Sequence, residues 1–156
     1  MTVRDVGYVA PIPISQTRCL VVSSLLFALP SAYAYHHGLY MHAGVLLSVV
    51  CASANFWRRA TRGFRRYVDI VVARVAFTVF VVNGVMLKNR SMPCVLSGYI
   101  ALVTAICLYR ASGRQLLQGN ANWYRYHFAF HMVLVYGIFV ILYGMVCVHK
   151  YKSHIV

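Results

Sequence analysis

Five runs of apolar residues, each near twenty long, decide what this chain can fold into. They cover 19–35, 38–57, 68–87, 93–109 and 126–148. An α-helix needs about 20 residues, within a range of roughly 17–25, to cross the hydrocarbon core of a bilayer. In lipid, backbone polar groups must pair within the segment or around a closed barrel. Barrel strands alternate polar and apolar residues, and these runs do not. The chain therefore reads as all-α, a polytopic integral membrane bundle of five transmembrane helices in one domain, 1–156.

Charge supports the same reading. The 156 residues carry a formal net charge of +13, and the acids are Asp5 and Asp69. A basic chain suggests nucleic acid as a partner. Here the bases sit in short clusters between the apolar runs, so nucleic acid is excluded and the bilayer is the expected partner. Arg4, Arg18, Arg58, Arg59, Arg62, Arg65, Arg66, Arg110, Arg114 and Arg125 flank the runs on one side, against Lys88, Arg90, Lys150 and Lys152 on the other. The excess of bases places the N-terminus and the arginine-rich loops on the cytoplasmic face. The first run has a rival reading as a cleaved signal peptide over 19–34, with Ala32–Ala34 fitting a small-x-small site. The long segment before it, with Pro11 and Pro13, favours an uncleaved anchor. Cys19, Cys51, Cys94, Cys107 and Cys147 lie in or at the ends of runs and read as packed thiols.

Ionisable residues inside a span cost about 2.5–3.5 kcal/mol at its centre, so each is a functional hypothesis by default. Asp69 opens the third run. Arg65 and Arg66 precede it at helical pairing distance, and Arg74 lies one turn deeper and can snorkel. His127 and His131 open the fifth run at the same depth, and their i, i+4 spacing puts both on one face. His36, His37, His42 and His149 belong to the opposite end. A haem held by two histidines needs one from each of two helices, so a single b-type haem on the outer histidines is one alternative. The inner set suits a metal better. Two histidines and a carboxylate from another helix make three protein ligands, the count of a catalytic zinc site with one open position. Such a zinc would activate water and polarise a carbonyl. Flanked by Trp123, Tyr124 and Tyr126, the same histidines also read as part of an interfacial aromatic belt.

The order of Ser53, Asp69 and the His127–His131 pair resembles the membrane hydrolase superfamily (CREST) that includes the alkaline ceramidases and the progestin and adiponectin receptors. The resemblance implies zinc held by histidines, with a serine and an aspartate at the metal-bound water and an amide or ester in a lipid as substrate. Carried over, His127 and His131 are ligands, Asp69 is a ligand or general base, and Ser53 bonds the water or the carbonyl. Trp57 stands where the superfamily has its remaining histidine, and indole has only a donor N–H. The superfamily has seven helices and this chain has five. The opposing expectation is a non-catalytic scaffold or interaction protein in which these polar residues stitch helices together. Gly84, Gly98, Gly137 and Gly144 would then let helices pack closely, within the chain or between copies.

Overall fold

The structure is a computed structural model that describes residues 12–60, 63–87 and 92–153. Six helices follow in order: α1 (Ile14–Leu25), α2 (Ala28–His36), α3 (Tyr40–Trp57), α4 (Phe64–Met86), α5 (Met92–Leu117) and α6 (Trp123–Ser153). The described residues contain no strand. Five stretches are long and apolar enough to cross a membrane, the first formed by α1 and α2 together. His154 lies outside the described residues, as does the side chain of His149.

The break in that first stretch has a local cause. Pro30 has no N–H to give the carbonyl of Leu26, and its ring crowds that carbonyl. The chain turns at Leu26 and Phe27, where the Phe27 N–H reaches back to Ser24 O and the Leu29 N–H to Leu26 O. One apolar run thus becomes two short helices.

The loop expected over 110–125 is largely helical. Arg110 and Arg114 end the apolar run without ending the helix, and α5 continues to Leu117. Gly119 stops it, at φ 69°. Asn120 N–H bonds Gln115 O at 3.0 Å and Gly119 N–H bonds Leu116 O at 3.1 Å, the paired reverse bonds of a left-handed glycine cap. Gly38, at φ 74°, ends α2 in the same way, with Leu39 N–H on Ala34 O at 2.9 Å. A side chain at either glycine would strain the turn. At the other end of this region, α4 starts at Phe64, early enough to place Arg65, Arg66 and Asp69 on one helix.

Packing defines an open ring. α5 lies closely along α6, and α6 meets α1 and α2. Those two cover α3, and α3 packs on α4. α4 touches α6 lightly, and among the described residues α4 and α5 have at most a slight contact with one another. Small residues serve contacts inside the chain. A Cβ on Gly137 would stand 3.3 Å from the Ala101 Cβ, and one on Gly84 would meet Ile141 at 3.4 Å. The main core gathers Leu46, Val49, Val50, Phe80, Ile138 and Leu142. A second cluster joins Leu20, Phe56, Trp57 and Trp123 at the arginine-rich end.

Candidate functional site

The gap in the ring is a cavity of about 780 Å³. Its walls come from α3, α4, α5 and α6. Most of the lining is aliphatic or aromatic, such as Val49, Phe77, Leu102 and Ile141. The polar residues on it are concentrated toward the arginine-rich end. Ser53, Asp69, His127 and His131 all line it, together with Trp57, Arg66, Arg74 and Arg110. The four sequence-derived candidates thus share one cavity.

Within that cavity they form two pairs. Ser53 sits one turn before the end of α3, and Asp69 sits in the second turn of α4. The Ser53 hydroxyl donates to Asp69 Oδ1. This bond crosses the α3–α4 contact and satisfies part of a carboxylate that would be costly in an apolar setting. His127 and His131 form the other pair, with ring centroids 4.8 Å apart and planes inclined at 65°.

Each histidine has a hydroxyl beside it that the sequence did not reveal. Ser23 Oγ lies 2.8 Å from His131 Nδ1, and both residues are buried. Ser23 Oγ is also 3.0 Å from Leu20 O. A hydroxyl has one proton; with it donated to Leu20, the Ser23 oxygen accepts from His131 Nδ1–H, and Nε2 keeps its lone pair. Ser112 Oγ lies 3.4 Å from His127 Nδ1, a looser contact. Ser23 is 0% exposed and does not line the cavity. No local pattern marks either serine. Ser23 meets His131 only because α1 packs on α6, and Ser112 lies in the stretch expected to be loop.

Trp57 takes the space the resemblance gives to a ligand. Its ring packs against His127 at 5.2 Å between centroids and against Trp123 at 6.0 Å. Trp57 is 5% exposed and Trp123 6%. Trp123 is therefore core, where an interfacial belt was the alternative expectation; Tyr126 is exposed, as a belt residue would be. Among the described residues, no three of His, Cys, Asp and Glu are grouped so that they could hold a metal ion. With Asp69 bonded to Ser53 and the histidines set against serines and tryptophan, this arrangement does not fit a three-ligand zinc centre.

At the opposite end the described histidines are set against aromatic rings and one another. His42 is buried in an edge-to-face contact with Phe80, at 5.6 Å. His36 and His37 contact each other at 5.1 Å, and neither lines the cavity.

Arg110 was expected as a cytoplasmic flank, yet it lies within a helix, as Arg74, expected inside its apolar run, also does. At about 1.5 Å per residue, Arg110 lies roughly 10 Å from the end of α5 and Arg74 roughly 15 Å from the start of α4. Both side chains are exposed and both line the cavity. Arginine at such depth is retained where it can snorkel or meet an anion. Three guanidiniums against one carboxylate leave the polar end of the cavity positively charged. Comparison with protein-family models, curated proteins and solved structures found no match for the chain, so these residues are read from their geometry. The class they define is a helical bundle that has, among the described residues, five stretches long and apolar enough to cross a membrane, with a cavity between two helices and a charged end to it.

Proposed function

We propose that the chain is a multi-pass membrane protein that holds a lipid in the groove between α4 and α5. The observation that carries this reading is the cavity itself: apolar along the helices and polar at one end, in the order of an amphiphile's parts. From Asp69 to Leu87 the α4 wall runs about 27 Å, close to the ~30 Å of a hydrocarbon core. Its volume falls within the ~300–1,000 Å³ of ordinary ligand pockets. On this reading Ser53–Asp69 and Ser23–His131 are helix-joining bonds, and the protein is a lipid-binding scaffold. The arginine-rich end faces the cytoplasm, following the distribution of bases.

Native mass spectrometry of the full chain in mild detergent tests this reading. The wild type is expected to keep a lipid that Ala73→Trp, which places an indole on the α4 wall, releases while the helical content stays unchanged. Equal lipid in both proteins, or none in either, would overturn the groove reading.

A second reading is a divergent zinc-dependent lipid amide or ester hydrolase. It is favoured by the convergence of Ser53, Asp69, His127 and His131 on one cavity, and it requires Asp69 to leave Ser53 and approach the histidines. Elemental analysis of the purified protein decides it. The scaffold reading expects no bound metal, before or after the double change His127→Ala with His131→Ala. Stoichiometric zinc that the double variant loses would reverse the order of the two readings.

A further inference from the structure

We infer that the occupant of the groove is an anionic phospholipid, its phosphate held at Arg110 and Arg74. This rests on the lipid-groove reading and adds what selects the lipid. In a bilayer an acyl chain gains no hydrophobic free energy by moving from its neighbours into an apolar groove, because lipid is as apolar as the helices. Chain contacts therefore hold many lipids about equally. The choice falls to the head.

The cavity that would take the head is lined by Arg66, Arg74 and Arg110 and by Asp69, whose Oδ1 already accepts from Ser53. A guanidinium gives two parallel N–H donors to phosphate oxygens. Arg74 on α4 and Arg110 on α5 line the opening from its two walls, so one phosphate between them would bridge helices that otherwise have at most a slight contact. A choline head brings its own cation into this positive end, and a glycerol head does not. Arg58, Arg59, Arg114 and Arg125 are exposed at the same end. They draw anionic lipid toward the surface in general, so a measurement must read the groove and not the boundary layer.

Trp57 supplies that readout. It lines the cavity, is 5% exposed, and is one of two tryptophans in the chain. In a Trp123→Phe background it is the sole indole. A bromine-labelled acyl chain quenches it from within the groove and reaches it poorly from outside. The full chain is reconstituted into phosphatidylcholine vesicles containing, at equal mole fraction, chain-brominated phosphatidylglycerol or chain-brominated phosphatidylcholine.

The expected result is a preference of roughly tenfold for the phosphatidylglycerol, whose head lacks the choline cation that opposes the guanidiniums, a difference about the size of one charge-assisted hydrogen bond. Arg74→Gln with Arg110→Gln should remove most of that preference, chiefly by lowering quenching by the phosphatidylglycerol, since the choline cation already weakens the hold of the two arginines on phosphatidylcholine. Ala73→Trp adds an indole, so occlusion is tested with Ala73→Phe, which should lower quenching by both lipids. Equal quenching by the two lipids, or a preference that the double arginine variant keeps in full, would overturn the headgroup assignment and leave the groove intact. Quenching by neither lipid would overturn the groove reading itself, and with it this inference. A cross-linked dimer under that last condition would identify a second copy of the chain as the occupant.

Discussion

Truncating His131 to alanine is expected to lower the unfolding free energy by about 3 kcal/mol, combining a cavity in a packed site with a lost buried hydrogen bond. The ring lies between α6 and the broken first span. It meets Phe27 edge-on at 5.5 Å, meets His127, and bonds Ser23 at 2.8 Å. Ser23→Ala should cost less, about 1 kcal/mol, because the Ser23 contribution is one hydrogen bond and little volume. Denaturant titration of the two single variants and the double variant in detergent micelles checks the pair. A coupling energy of about 0.5 kcal/mol or more is expected for residues in direct contact. Additive losses would separate the two residues. A fall in stability on adding a chelator to the wild type would instead point to a metal, since a ligand that binds the folded form stabilises it.

Gly137→Leu is expected to be as damaging, at about 1–3 kcal/mol or more. Even a single Cβ at this position stands 3.3 Å from Ala101 on α5, and leucine adds three further carbons on that line. The α5–α6 contact is the most extensive in the fold, so it cannot open locally without freeing one wall of the cavity. Loss of the cooperative thermal transition, with Gly137→Ala retaining it at a lower midpoint, is the expected pattern. A Gly137→Leu protein as stable as the wild type would mean that α5 moves freely along α6.

What the sequence disclosed follows from which interactions are periodic and which are not. The apolar runs and the end at which Ser53, Asp69, His127 and His131 gather were legible, because hydropathy and helical spacing fix depth along each helix. Rotation about the helix axis was less so. Ser53 and Asp69 bond across α3 and α4, but the histidines turn toward Ser23 and Ser112, whose positions depend on how α1 and α5 pack. The extension of α5 escaped because Arg110 and Arg114 interrupt hydropathy without breaking helical backbone; Gly119 was the stronger terminator. Pro30 marked the broken first span in advance, yet the run was long enough to read as one helix. Trp123 resembled an interface residue by position, and its burial against Trp57 comes from tertiary packing alone.

The opening between α4 and α5 also bears on how the bundle is made. Helices adjacent in sequence usually lie side by side, and this pair departs from that habit. α4 finds its partner in α3, already synthesised, while α5 waits for α6, which emerges after it. Chain growth therefore delivers two blocks, α1–α4 and α5–α6, joined where the first span and α3 have already met. The groove is the seam between an early half and a late half, and a lipid entering it would be the final component of the assembly.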